Sequence, residues 1–194
     1  MARPRTFDRD SVLAAAMHAF RRNGFTRTHV AHLEEATGLT VGSLYNAFGD
    51  KAGLFGAAFE HYVETFARGR MDDALGPAST LEDLEEYLLA LLAPPLDDGY
   101  GCLITNTAIE LGEDEAFATS AVRPALTERA SRISDVLVRE VGPAHAAAAG
   151  PGLALICEGM LVLARARLLT PDHGDAVRAE FRRLRALRDQ AATT

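Results

Sequence analysis

Apolar residues recur at helical spacing along most of the chain, and no stretch shows the strict alternation typical of a half-buried strand. Three short amphipathic patterns follow one another near the N-terminus. The first ends at Asn23-Gly24, the second runs from Thr28 to Gly38, and the third begins after Thr40. Threonine before an apolar run is typical of a helix N-cap, and glycine is typical of a helix end. We therefore predict three short helices, with Thr28 and Thr40 capping the second and third.

The third predicted helix carries small and hydrogen-bonding residues on its outer face, where an inert surface helix would carry Glu, Lys and Arg. Leu44 and Phe48 keep an inward apolar stripe. The outward positions are Val41, Gly42, Ser43, Tyr45 and Asn46. Short side chains at the N-terminal end of a helix let its axis approach base edges in the major groove. The pattern therefore indicates a helix-turn-helix DNA-binding unit.

This part of the chain resembles the TetR family of bacterial transcriptional repressors. The resemblance rests on Phe20 and Gly24, the Thr28 position, the segment ATGLTVGSLYNAFGDK at 36–51, and Leu54-Phe55. It covers about the first third of the chain. It implies phosphate contacts by Thr28, Tyr45 and Lys51. It also implies base-edge contacts by Val41, Gly42, Ser43 and Asn46.

Further residues complete the predicted DNA-binding set. Arg3 and Arg5 form a short basic arm, which either reaches phosphates or the minor groove or is a solvated terminus. His29 stands at a helix start, where it can contact DNA, and Thr40 begins the recognition helix. His29 also shares a helix face with His32, but two histidines without a third ligand are weak evidence for a metal. We predict no metal site.

The charge is divided unevenly along the chain. Residues 1–51 hold seven Lys and Arg against five Asp and Glu, a net charge of +2, whereas the other residues hold 13 against 22, a net charge of −9. Phosphate contact is local, so a mildly basic segment can bind DNA although the whole chain carries −7.

The rest of the pattern predicts a helical body. We expect a DNA-binding domain at 1–50 and an effector-binding and dimerisation domain at 51–194, in an all-α fold of about nine helices. Asp50 can cap a long helix from Lys51, and Pro124 should bend a helix that ends near residue 141. The Ala-rich residues 142–152 read as a linker before an apolar helix at 153–169 and a last amphipathic helix.

The last two predicted helices favour a homodimer. A nearly all-apolar helix followed by an amphipathic one can form a four-helix bundle with a second copy, and the family resemblance implies the same assembly. The predicted interface residues are Gly159, Leu163, Val177, Phe181 and Leu184. The alternative is that these residues form an ordinary core within one chain.

Glu158 and Cys102 indicate an effector pocket among the predicted helices of residues 81–169. Glu158 lies within an apolar run, so it must be paired, protonated or near a polar ligand, and a salt bridge with Arg165 or Arg129 is an alternative. Cys102 follows a glycine loop at a helix start, where unpaired N–H groups stabilise a thiolate. The segment GCLITNTAIEL resembles a family branch in which a cysteine here senses electrophiles or oxidants; the alternative is a small buried side chain. The predicted pocket residues are Tyr87, Cys102, Asn106, Phe117 and Glu158.

The sequence carries no motif of a nucleophile elbow, a P-loop or a dinucleotide fingerprint, so we expect no enzyme and no cofactor. The expected partners are double-stranded operator DNA, a second copy of the chain and a small-molecule effector. The alternative functions are a ligand-independent architectural DNA-binding protein and a helical enzyme. We expect a cytoplasmic protein, because the N-terminus lacks the apolar run of a secretory signal and no stretch reads as a membrane span.

Overall fold

The computed structural model describes residues 7–94, 96–111 and 115–192, so the predicted arm residues Arg3 and Arg5 lie outside the described part. Within that part the chain is helical and contains no strand, which confirms the all-α prediction. The α-helices are α1 (Arg9–Asn23), α2 (Val30–Thr37), α3 (Val41–Phe48), α4 (Lys51–His61), α5 (Arg68–Ala74), α6 (Leu81–Leu89), α7 (Leu103–Glu110), α8 (Glu115–Phe117), α9 (Arg123–Arg165) and α10 (Pro171–Ala192). Tyr62–Ala67 and Ala118–Val122 are π-helical, and Ala90–Leu92 is a 3₁₀-helix.

The internal contacts divide the chain into two compact units, Met1–Ala67 and Arg68–Thr194. We call them the head and the body. The head therefore contains α4 as well as the three predicted short helices. The functional boundary between residues 50 and 51 stays a prediction, because compactness does not assign a function to either unit.

The core of the head lies between α1, α2 and α4. Asp8 caps α1 by accepting a hydrogen bond from the Ser11 N–H at 3.2 Å. Phe20 is fully buried and meets the Phe55 ring edge-on, with centroids 4.9 Å apart. Gly53 sits where a Cβ would overlap the carbonyl oxygen of Phe48, so the first turn of α4 approaches the end of α3 through a glycine.

The predicted linker at 142–152 is wrong, because this segment is helical and continues α9. Only Gly142 leaves the helical conformation, with φ 81°, and it kinks α9 into an arm of residues 123–141 and an arm of residues 143–165. Pro143 fits the start of the second arm, where a missing N–H costs little, and the alanines after it favour helix. The predicted bend at Pro124 is also wrong, since this residue lies in the first turn of α9.

The expectation that no apolar segment reaches membrane length is wrong by length and composition. The helical run Ser120–Arg165 is long and apolar enough to span a bilayer. The length of this helix was not predicted, because residues 142–152 were expected to form a linker that interrupts it. Its buried residues include Leu153, Cys157 and Met160, so it contributes to the core of the body.

The apolar stripe of α10 lies inside the body and not on its surface. Val177, Phe181 and Leu184 are 2%, 0% and 0% exposed, and α10 packs on α6 and α9. Their predicted place in a dimer interface is therefore wrong, because side chains buried within one chain are not available to a second copy. Salt bridges hold the same helix from its outer side, with Arg185 2.7 Å from Glu85.

Candidate nucleic-acid interface and effector site

The helix-turn-helix is built as the sequence indicates. Gly38 ends α2 in the left-handed conformation, with φ 68°, and its N–H donates to the Glu34 carbonyl oxygen at 2.9 Å. Thr40 then caps α3, since its Oγ1 accepts a hydrogen bond from the Ser43 N–H at 3.3 Å. One contact was not predicted: the Glu34 carboxylate accepts a hydrogen bond from the Val41 N–H at 2.7 Å. This bond joins α2 directly to the first residue of α3.

The outer face of α3 is open. Leu44 is fully buried, whereas Gly42 and Asn46 are exposed and Tyr45 is half-buried. A Cβ at Gly42 would meet no atom within 4 Å. The packing of the chain therefore does not require glycine at this position.

Thr28 does not have its predicted role. It is fully buried, its hydroxyl donates to the Gly24 carbonyl oxygen at 2.5 Å, and the N-cap of α2 is His29. The His29 N–H donates to Nδ1 of His32 at 3.1 Å. The buried Thr28 hydroxyl cannot reach a phosphate, so its predicted phosphate contact is wrong. His29 is exposed, and its DNA contact stays a prediction.

Lys51 has contacts within the head that the sequence did not indicate. Its Nζ donates to the Thr26 carbonyl oxygen at 3.4 Å and lies 4.6 Å from the centre of the Phe25 ring. The ammonium thus holds the segment before α2 next to the start of α4. Asp50 caps that helix by accepting a hydrogen bond from the Gly53 N–H at 2.8 Å.

In the body, a buried arginine gathers several predicted pocket residues. Arg129 is 4% exposed, its Nη1 lies 2.5 Å from Oε1 of Glu158, and its Nη2 lies 3.3 Å from Sγ of Cys102. The second oxygen of Glu158 accepts a hydrogen bond from the Thr105 hydroxyl at 2.7 Å. We call Cys102, Thr105, Arg129 and Glu158 the Arg129 cluster. Of the two salt-bridge partners that the sequence left open for Glu158, the structure shows Arg129.

Burial shapes the ionisation of this region. It raises the pKa of the Cys157 thiol to about 12, although the nearby Arg129 opposes the rise. It also raises the pKa of Tyr87, with a smaller contribution from Cys157. Burial disfavours the Arg129 cation, but Cys102, Cys157 and Glu158 outweigh it and raise its pKa above the usual value. The centre of the cluster is therefore a permanent positive charge.

The other predicted pocket residues have separate surroundings. Asn106 donates its amide Nδ2 to the Tyr100 carbonyl oxygen at 2.8 Å and so holds the loop before α7. Phe117 is half-buried in α8. The sequence analysis named Arg129 only as one alternative partner of Glu158. Its burial could have been inferred from helix periodicity, because Arg129 lies four residues from both Ala125 and Ile133, which are buried on the same face of α9. Among the described residues, no group of three or more His, Cys, Asp and Glu side chains is arranged to hold a metal.

Comparisons with known proteins agree with the geometry of the head. The family model described as "Bacterial regulatory proteins, tetR family" matches residues 12–58. The chain is 33% identical over 132 residues to the HTH-type transcriptional repressor ComR of Escherichia coli (strain K12), over 66% of this chain and 63% of ComR. It is 42% identical over 65 residues to the HTH-type transcriptional repressor BdcR of the same organism, over 34% of this chain and 33% of BdcR. The chain thus matches less than two thirds of the length of either relative.

The fold comparison covers more of the chain. A cysteine mutant of the TetR family transcriptional regulator CifR, complexed with 26-bp double-strand operator DNA, matches with a TM-score of 0.77 and 28% identity. The match covers 93% of this chain and 98% of the CifR chain. The helix-turn-helix, the similarity to these repressors and the shared fold together identify the chain as a member of the TetR family of bacterial regulatory proteins.

Proposed function

We propose that the protein is a cytoplasmic, homodimeric transcriptional repressor that binds a palindromic operator through α3 and is released by a small-molecule or electrophilic effector. The observation that carries the DNA-binding proposal is the open N-terminal end of α3. Gly42 has free space around it, and Asn46, one turn later, is exposed. A helix with this surface can approach base edges closely. The CifR mutant of similar fold is complexed with operator DNA.

The residues proposed to contact DNA each have a chemically defined part. The Asn46 amide suits the paired donor and acceptor of adenine, the Val41 methyl groups suit a thymine methyl, and the Ser43 hydroxyl suits either base edge. Tyr45 and Lys51 lie beside the recognition surface and suit phosphate oxygens. Thr40 retains its capping role, and His29 can add a contact from the exposed start of α2.

Operator selection with the purified protein tests the DNA-binding proposal. We expect one enriched palindrome, and failure to enrich any sequence would contradict the proposal. On that operator, Asn46→Ala should relax preference at one base position, at a cost of about 1–3 kcal/mol. Lys51→Gln should weaken binding on all sequences and reduce the slope of log affinity against log salt by about 1. Glu60→Gln, at an exposed position on α4, is the control and should change neither quantity.

The dimer proposal rests on the C-terminal arm of α9. Leu155 and Val162 are 74% and 39% exposed there, and Gly152 and Gly159 lie on the same helix stripe. A Cβ at either glycine would meet no atom within 4 Å. Large exposed apolar side chains beside exposed glycines suit close packing against a second copy of the same helix. Leu163, which is half-buried, flanks this stripe.

Sedimentation equilibrium tests this surface. We expect Leu155→Asp to shift the protein to the monomer mass and to abolish tight operator binding, because a single head reads only one half-site. Val138→Asp is the matched control, since Val138 is 42% exposed elsewhere on α9. An unchanged mass for Leu155→Asp, or an equal shift for both variants, would contradict the assignment of the interface to this stripe.

The effector proposal places an electrophile at Cys102. Cys102 is 4% exposed, and its Sγ lies 3.3 Å from the Arg129 guanidinium, a cation of the kind that activates cysteine nucleophiles. Conjugate addition to a quinone forms one C–S bond. The electron pair of the attacked ring C=C bond forms a new C=C bond to the carbonyl carbon, the C=O π pair moves to the oxygen, and that oxygen takes up a proton. The added group then separates Arg129 from Cys102. Glu128, the residue before Arg129 on α9, lies 3.0 Å from Arg68 at the start of α5, so displacement of Arg129 can act on α5.

Benzoquinone should therefore release the operator from the wild-type protein and add one quinone to its mass. Cys102→Ser should retain operator binding and remain unmodified. Cys157→Ser is the control for the second buried cysteine and should respond like the wild type. Equal release of the wild type and Cys102→Ser would overturn the effector proposal while leaving the DNA-binding proposal intact.

A further inference from the structure

The body contains a cavity of about 510 Å³ that none of the preceding roles uses. It lies between the loop before α7, the end of α9 and the start of α10. Its lining shares no residue with the Arg129 cluster. The volume is within the range of small-molecule sites.

The walls of the cavity carry opposite charges. Asp97 lies in the loop and Arg167 follows the end of α9, and both line the cavity. In the described part of the chain neither side chain has an ion-pair partner, and they do not pair with each other. Asp98 and Arg178 add a second carboxylate and a second guanidinium to the lining, but both are already engaged. The Asp98 carboxylate accepts a hydrogen bond from the Tyr100 N–H at 2.9 Å, and Arg178 is paired with Asp175 at 2.9 Å. One carboxylate and one guanidinium are thus free to meet a ligand.

The backbone places Arg167 where a glycine would be expected. Its φ is 58°, in the left-handed region, and the Leu168 N–H donates to the Leu163 carbonyl oxygen at 2.9 Å, which closes the C-terminus of α9. The Arg167 side chain lies against Gly99 of the facing loop. A non-glycine residue in the left-handed conformation costs more free energy than glycine would. The presence of arginine at this position therefore indicates a use for its side chain.

The remaining surface of the cavity includes leucines, namely Leu91, Leu92 and Leu169. A purely anionic ligand would meet the Asp97 carboxylate, and a purely cationic ligand would meet the guanidinium groups. Only a ligand with both charges satisfies both walls. We propose that this cavity binds a zwitterionic ligand of the amino-acid type, with its carboxylate on Arg167, its ammonium on Asp97 and an aliphatic side chain on the leucines.

Isothermal titration of the full-length protein without DNA tests the site with three probes: L-leucine, 4-methylpentanoate, which lacks the ammonium, and 3-methylbutylamine, which lacks the carboxylate. We expect L-leucine to bind at one site per chain. Each singly charged probe should bind about ten-fold more weakly, because one charged hydrogen-bonding group is left without a partner.

Two variants assign the charges. Arg167→Gly should lower the affinity for L-leucine about ten-fold without affecting 3-methylbutylamine, and Asp97→Asn should lower it similarly without affecting 4-methylpentanoate. Glycine adopts a φ of 58° without strain, so loss of binding in Arg167→Gly cannot be attributed to misfolding. Arg182→Gln and Asp73→Asn, at exposed positions outside the cavity lining, are the controls.

The result expected is binding of L-leucine that depends on both wall charges. Absence of saturable L-leucine binding would overturn the proposal. Equal binding of all three probes, or wild-type affinity in both wall variants, would also overturn it. The measurement uses no DNA, so its failure is distinguishable from failure of the proposed repressor function.

Discussion

Replacement of Arg129 by methionine should destabilise the body substantially, and the structure allows the loss to be bounded. The change keeps much of the side-chain volume but removes the cation that bonds Glu158 and contacts Cys102. Loss of one partner from a fully buried ion pair costs about 3–5 kcal/mol. The Glu158 side chain is 30% exposed and keeps its bond from Thr105, so water and the hydroxyl offset part of this cost. We expect a loss of about 2–3 kcal/mol.

The double variant Arg129→Met with Glu158→Gln separates loss of packing from loss of charge balance. Glutamine still accepts the Thr105 hydrogen bond through its carbonyl oxygen, and no uncompensated charge remains. We expect the double variant to lie within about 1 kcal/mol of the wild type, and therefore to be more stable than Arg129→Met alone.

Urea unfolding at 25 °C, followed by far-ultraviolet circular dichroism at one fixed protein concentration, measures these free energies. Arg183→Gln is the control for an exposed pair, because Arg183 and Glu180 are 53% and 27% exposed. It should cost less than about 1 kcal/mol. If Arg129→Met is no more harmful than Arg183→Gln, or if the double variant is as unstable as the single one, the reasoning about the Arg129 cluster is refuted.

Three further predictions concern stability. Gly53→Ala places a Cβ against backbone and should cost roughly 1–3 kcal/mol, whereas Gly56→Ala on the same helix meets no atom within 4 Å and should be neutral or stabilising; equal unfolding midpoints would contradict this. Arg167→Gly should raise the free energy of unfolding by about 1 kcal/mol, because glycine relieves the left-handed strain, and a lower thermal midpoint would contradict the strain argument. The hydrogen bond from Arg68 holds the pKa of Glu128 below its usual 4.5, so this pair stabilises the fold above that pH and its contribution is lost as the pH falls through the lowered pKa. Glu128→Gln should therefore lose less stability than the wild type on acidification below pH ~4.5, as measured by urea unfolding across pH; an identical acid loss would contradict the assignment.

The recognition unit was predictable because its signals are local. A cap such as Thr40 and a turn such as Gly38 act within a few residues, and both have the predicted roles. The local rule failed at Thr28, where a hydroxyl that fits an N-cap instead donates to Gly24. Glu34 was missed because its partner, the Val41 N–H, lies in the next helix. A hydrogen bond from a side chain across a turn does not alter the hydrophobic periodicity of the sequence, so the periodicity cannot predict it.

The helical body was predictable as a class but not in its arrangement. Glycine and proline at Gly142-Pro143 mark a kink as well as they mark a linker, and the alanines that follow are compatible with either until α9 has packed. The stripe of α10 containing Phe181 showed that one face must be covered. It did not show whether the cover was this chain or a second copy.

By itself, the sequence determined the helical class, the helix-turn-helix and the family, because helix periodicity, caps and turn residues are local properties of the chain. The tertiary structure alone decided that Arg129 joins Cys102 to Glu158, that the α10 stripe is core, and that Leu155 is left on the surface. It also brought Asp97 and Arg167, seventy positions apart in the sequence, to the walls of one cavity. The physical reason is that burial and charge pairing depend on which helix faces meet, and a helix pattern specifies an apolar face without specifying its partner.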